Sequence, residues 1–201
     1  MIVNMFSAFL GDKTIYSRTN YRIFTYTRNM KNMNSENILK STTIIGMVFV
    51  LVIGTISHFV YDWSGQNTLI GFFVPVNEST WEHMKLLFFP MLLYALYMNQ
   101  GLKEEYPCVT SALCCGIVAG TFLIPVFFYT YSGILGKNVM ALDIATFIAS
   151  VLCAFRIVYR LTLSCRFRAF TFPLIMSVIL LLLCFVLFTY LSPSIGLFQT
   201  F

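Results

Sequence analysis

The chain has 201 residues, of which 58% are hydrophobic, 17% aromatic and only 10% charged, with a mean hydropathy of +0.80. About a quarter of an ordinary soluble domain is charged, so this composition excludes a water-soluble globular enzyme and makes lipid the main solvent. The formal net charge of +5 follows from where the cations lie along the chain and requires no nucleic-acid partner.

The first 40 residues carry Lys13, Arg18, Arg22, Arg28, Lys31 and Lys40 without a sustained apolar period, and read as a basic cytoplasmic tail. Its apolar start, 1–10, has neither a basic leader nor a following small-residue cleavage pattern, which argues against a signal peptide. Tyr and Phe alternate with Arg over 16–31, a pattern that suits an amphipathic stretch on anionic lipid and equally a disordered one.

A spanning helix needs about 20 mostly apolar residues. Five stretches qualify, approximately 41–61, 83–99, 108–131, 139–159 and 172–191. The second lengthens if Asn77 or Ser79 caps it, and Pro90 and Pro125 are expected to bend the second and third. The expected fold is therefore all-α: a polytopic membrane bundle of about five helices over 41–201, behind a tail over 1–40. Lys103 and the group Arg156, Arg160, Arg166 and Arg168 join the tail on one side, and only Lys85 and Lys137 fall on the other. Cations concentrate on the cytoplasmic side of inserted helices, so the N-terminus is expected inside the cell membrane and the C-terminus outside.

The connection between the first two spans, 62–76, is too apolar in its second half to float in water. It is expected to fold back on the bundle as a re-entrant or interfacial segment and to roof a pocket, with Tyr129, Tyr131 and Gly133 supplying a wall. The six cysteines lie within spans or near the cytoplasmic face. They are read as small unpaired apolar side chains, without a disulfide framework or a zinc spacing.

Charges in lipid are costly, which makes their placement informative. Asp62, Glu78, Glu82, Asp143, His58 and His83 all map to the outer half. His58 and Asp62 stand four residues apart, on one helical face. Asp62 could hold one imidazole nitrogen and orient the other, as in metal sites and general bases, or the two could be a plain interfacial pair. In Asn77-Glu78-Ser79-Thr80-Trp81-Glu82-His83-Met84-Lys85, Ser79 and Glu82 fit a capping box. Glu82 and Lys85 can pair at i, i+3, and Trp81, like Trp63, suits an interface anchor. The candidate polar pocket is thus His58, Asp62, Asn77, Glu78, Glu82, His83 and Asp143. His58, Asp62, Glu78 and His83 are candidate ligands for zinc, manganese or iron. No H-E-x-x-H or H-x-x-x-H spacing supports the metal, and an acid in a helix's first turn, as Asp143 is, is favoured by the dipole alone.

The runs from His58-Phe59-Val60-Tyr61-Asp62-Trp63-Ser64-Gly65-Gln66-Asn67 through Pro75-Val76-Asn77-Glu78-Ser79-Thr80-Trp81-Glu82-His83-Met84-Lys85 to Pro90, with Phe128-Tyr129-Thr130-Tyr131-Ser132-Gly133 and Ile195-Gly196-Leu197-Phe198-Gln199, resemble a family of bacterial multi-pass membrane proteins classed as a domain of unknown function. The similarity runs from about Ser41 to the end. It implies a membrane location and topology, and no activity. The function expected is an outward-facing polar pocket that binds a metal or small polar ligand. The alternatives are metal-assisted or acid–base hydrolysis of a lipid or peptide, and a structural role beside another membrane protein. Whether the protein is an enzyme stays open at this point.

Overall fold

The computed structural model describes residues 34–199. The tail expected over 1–40 lies almost wholly outside the described residues, as does the stretch 16–31. Ser41–Phe201 form one compact unit. The helices are α1, Asn34–Trp63, then α2, Thr68–Gly71, α3, Thr80–Leu102, α4, Val109–Leu135, α5, Met140–Ser164, and α6, Thr171–Phe188. Single 3-10 turns stand at Arg168–Phe170 and Gly196–Phe198, and no strand occurs among the described residues. Asn34–Trp63, Val109–Leu135, Met140–Ser164 and Arg168–Phe188 are long and apolar enough to cross a membrane.

The remaining long helix, α3, differs in kind. From Thr80 to Met91 every residue is buried except His83, which is half-buried. A helix apolar on nearly all sides belongs at the centre of a bundle, and α3 packs against α4 while Trp81, Phe88 and Phe89 stack on Phe185 of α6. Its start is set locally: Ser79 Oγ accepts from Glu82 N at 3.4 Å. The second half of the expected capping box is not made. Glu82 Oε2 accepts from Val76 N at 3.0 Å, and the Ser79 amide donates to Asn77 Oδ1 at 2.9 Å, because an Asx turn from Asn77 satisfies the cap amide first.

Lipid offers no hydrophobic drive between helices, so close approach depends on small residues. In α4, Gly116 and Gly120 stand four apart and face α5. A Cβ on Gly116 would lie 2.4 Å from Val158 Cγ2, and one on Gly120 would lie 2.6 Å from Ala154 Cβ. α1 approaches α3 in the same way. The helix runs on through Pro90, whose missing N–H deprives the Leu86 carbonyl of its donor; a Cβ on Gly54 would lie 2.5 Å from that oxygen. Glycine at position 54 lets the α1 backbone sit against the freed carbonyl, a place where Cα–H···O contacts form.

The connection 62–76 folds back on the bundle. Gly71, Val74 and Pro75 are buried, Tyr190 donates its hydroxyl to Thr68 O at 3.1 Å, and Phe73 meets Phe89 edge-on at 5.3 Å. One expectation is overturned. Cys108 and Cys165 are joined by a disulfide across 57 residues, with their Cα atoms 5.2 Å apart. The antiparallel register set by Gly116 and Gly120 against Val158 and Ala154 brings the start of α4 level with the end of α5, a proximity that cysteine spacing alone does not reveal. Cys114, Cys115, Cys153 and Cys184 are free and half-buried.

Candidate functional site

Three side chains from separate stretches meet at one end of the bundle. His58 comes from the last turns of α1, Glu78 from the turn before α3, and His83 from the first turn of α3. Glu78 Oε2 lies 3.6 Å from His58 Nε2 and 3.4 Å from His83 Nε2. One ligand atom from each of the three lies within 4.8 Å of the others, and the imidazole rings meet edge to face at 5.3 Å. The histidine side chains are 33% and 27% exposed and Glu78 is 66% exposed, so the cluster is open to small solutes.

The tautomer of His83 follows from its second contact. His83 Nδ1 lies 2.9 Å from Ser79 O, and a carbonyl oxygen can only accept, so Nδ1 carries a proton and Nε2 is the nitrogen turned to Glu78. A ring nitrogen held by a backbone carbonyl is the usual support of a histidine metal ligand. With metal–ligand bonds of about 2.0–2.2 Å in a tetrahedron, neighbouring ligand atoms stand about 3.4 Å apart. Both nitrogen–oxygen separations fall close to that edge. Two imidazoles and a carboxylate form a set suited to zinc, manganese or iron.

The other residues expected in the pocket divide. Asp62 is exposed and borders a cleft of about 50 Å³ with His58, Asn77 and Glu78. The carboxylate that faces His58 is Glu78, twenty positions on, because the folded-back connection delivers it to the ring. Asn77 spends its side-chain oxygen on the Ser79 amide. Asp143 lines a larger cleft beside the cluster, and its carboxylate accepts from the Tyr131 hydroxyl, which also meets the Asn138 amide oxygen at 2.8 Å. Of the expected wall of Tyr129, Tyr131 and Gly133, none lines the cleft, where the neighbouring Phe128 stands instead; Tyr131 contributes through Asp143, and a Cβ on Gly133 would meet open space. Trp63 is 72% exposed and stacks on Phe59. Trp81 is corrected from an interface anchor to an interior residue. It is 6% exposed and stands among Phe185, Phe188 and Phe198, because the first turn of α3 is enclosed by the end of α6 and the C-terminal segment.

Glu82 does not join the cluster. It turns to the opposite side of α3, where Lys85 Nζ donates to its Oε2 at 2.7 Å, to Gly71 O at 3.1 Å and to Thr189 Oγ1 at 2.7 Å. The pair is buried, with side chains 0% and 2% exposed. Three acceptors around the ammonium and a backbone N–H on the carboxylate offset a desolvation cost that would otherwise exceed the attraction. The i, i+3 spacing pointed to this pair, but nothing local in the chain marks Thr189 or Gly71 as partners.

The cleft beside the cluster has a volume of about 680 Å³ and is bounded by α1, α3, α4 and α5. Its walls are mostly apolar, including Leu86, Ile124, Phe128, Ile144 and Phe147, and His58, Glu78, His83 and Asp143 are among its polar lining. Thr80, 2% exposed, also borders it, and its hydroxyl has no hydrogen-bond partner among the described residues.

The chain belongs to a family of unknown function, DUF6512, whose model matches residues 30–200, in keeping with the resemblance drawn from the sequence. No curated protein and no solved structure matches it.

Proposed function

We propose that this member of a family without an assigned activity is a multi-pass membrane protein that holds one divalent transition-metal ion, zinc, manganese or iron, through His58, Glu78 and His83. The observation that carries the reading is the convergence of three separate stretches on one point, with Glu78 Oε2 3.4 and 3.6 Å from the two ring nitrogens and His83 Nδ1 held by Ser79 O. Asp62, the acid nearest His58 in sequence, is left out of the ligand set.

In this reading α3 is a fifth pass, its costly Glu82 and Lys85 tolerated because protein surrounds them. The end bearing Lys103, Arg156, Arg160, Arg166 and Arg168 faces the cytoplasm of the cell, and the metal cluster and C-terminus face outward. The 62–76 connection lies at the outer interface. Eleven of the 13 cations stand in sequence at or before Lys40, at Lys103 or from Arg156 to Arg168, and only Lys85 and Lys137 in the alternate stretches, a bias that supports the orientation.

Three protein ligands are the pattern of a reactive metal site, which keeps one position open, whereas structural zinc is closed by four. That position would face the 680 Å³ cleft. This favours, as a second reading, metal-assisted hydrolysis of a lipid or peptide bond.

The test is elemental analysis of the purified protein after zinc loading and dialysis. Wild type is expected to retain about one zinc per chain, the Asp62→Ala variant the same, and the His58→Ala, Glu78→Ala and His83→Ala variants far less. Wild type without zinc, manganese or iron, or a triple variant that retains as much as wild type, removes the proposal.

A further inference from the structure

The large cleft has two unlike ends, and the contrast specifies what fits. At one end stand the two imidazoles and Glu78; the remainder is lined mostly by apolar side chains such as Leu86, Ile124, Phe128 and Phe147, with Thr55, Asn138, Asp143 and Thr146 also on its border. Its volume of about 680 Å³ falls within the roughly 300–1,000 Å³ of small-molecule sites. Three apolar residues on its border are open to the outside of the bundle: Phe59 at 50%, Ile144 at 52% and Met140 at 79% exposure. On a helix bundle of this hydropathy those surfaces face hydrocarbon, so the mouth of the cleft opens toward the lipid as well as toward water.

A second observation points to an occupant. Thr80 borders the cleft, and its buried hydroxyl lacks a partner among the described residues. A buried hydroxyl without a hydrogen bond costs roughly 1–3 kcal/mol. A ligand oxygen in the cleft would satisfy it.

We infer that the cleft binds an amphiphile with one apolar tail, entering from the bilayer, with its oxygen-bearing headgroup at the His58–Glu78–His83 end and its tail along Ile124, Phe128, Ile144 and Phe147. The inference rests on the metal reading. Glu78 brings a carboxylate to that end, and it is the cation that turns this wall into one that attracts a carboxylate or ester oxygen. The match is of polarity at both ends: a water-soluble polar metabolite would leave the apolar walls unused, and a hydrocarbon without a headgroup would leave the cluster and Thr80 unpaired.

The experiment uses the full-length protein in nanodiscs, loaded with zinc, and photoreactive palmitic acid with a diazirine in its tail; crosslinked residues are read by peptide mass spectrometry. Ile144→Trp fills the mouth from an exposed position and Ile144→Val is its conservative control. Labelling is expected to concentrate on Ile124, Phe128 and Phe147. It should fall about tenfold in Ile144→Trp, persist in Ile144→Val, and fall comparably when a chelator strips the zinc. Zinc content, measured in parallel, should stay at about one per chain in both variants.

If zinc is bound and labelling is indifferent to Ile144→Trp, or spreads evenly over outward residues such as Leu180 and Leu183, the amphiphile inference is overturned while the metal reading stands. Labelling of the cleft that survives zinc removal equally overturns it, since the headgroup would then not sit on the ion. If no zinc binds to wild type, the metal reading falls and this inference falls with it.

Discussion

Glu82 and His83 are bonded neighbours, yet they serve two sites with opposite rules. On one side of α3, Glu82 and Lys85 are sealed from water, and both side chains are committed to partners inside the protein. On the other, Glu78 stands 3.4 Å from His83 and 3.6 Å from His58, separations too long for tight ion pairs, in a cluster open to solvent. Burial makes the first a closed structural pair whose loss harms the fold. Exposure makes the second an open set of ligand atoms whose loss should harm binding and little else. A helix turns by about 100° per residue, which lets adjacent positions differ so completely.

The sharpest way to break this contrast is Lys85→Met, which leaves the Glu82 carboxylate buried without its cation. It is expected to cost about 3–5 kcal/mol, measured as thermal unfolding in mild detergent, and adding Glu82→Gln should recover most of the loss. A cost below about 1 kcal/mol would mean that water reaches the pair and that the two sides of α3 are alike.

Removing the Cys108–Cys165 bond by Cys108→Ser is the next largest effect, about 2–4 kcal/mol for a loop of this size, with zinc retention unchanged because the bond lies at the opposite end. The bond also tests orientation. The proposed orientation puts that end in the cytoplasm, whereas disulfides persist in oxidising compartments. With the orientation proposed above, alkylation of intact cells should trap Cys108 and Cys165 as thiols, the bond forming only on oxidation. A bond present in freshly lysed, alkylated cells would reverse the topology.

Gly54→Val should cost about 1–3 kcal/mol by overpacking α1 against the Leu86 carbonyl. Because His58 lies one turn further along the same face, zinc affinity should drop by more than the unfolding change alone accounts for. Unaltered zinc affinity would show that α1 does not position the histidine. The smallest stability effect is expected for His83→Ala, within about 1 kcal/mol in the same unfolding assay, despite its loss of zinc. A drop as large as that of Lys85→Met would make His83 a structural residue and erase the comparison.

Much of this was legible beforehand, and the gaps have a common origin. The Ser79 cap, the Glu82–Lys85 pair and the fold-back of 62–76 all rest on neighbours within a few residues or on a run of apolar side chains, and each is present. The spacing of His58 and Asp62 pointed to the wrong acid, because an i, i+4 relation says only that two residues share a face. Glu78 reaches His58 through the connection between helices. Trp81 was misread for the same reason: an aromatic residue at a helix start looks alike whether lipid or Phe185 and Phe198 surround it. The Gly116 and Gly120 pair, four apart in an apolar helix, was a readable contact signal, and it would have hinted at the register that joins Cys108 to Cys165.

What the amino-acid order determined by itself was the solvent, the helical class and the side on which cations gather. These depend on composition and on periods of a few residues, which act wherever the chain goes. Tertiary structure alone decided which acid meets which histidine, which charged pair is buried, and which cysteines touch. Those outcomes depend on how far apart residues distant in sequence come to lie, and that distance is set by helix packing through Gly54, Gly116 and Gly120.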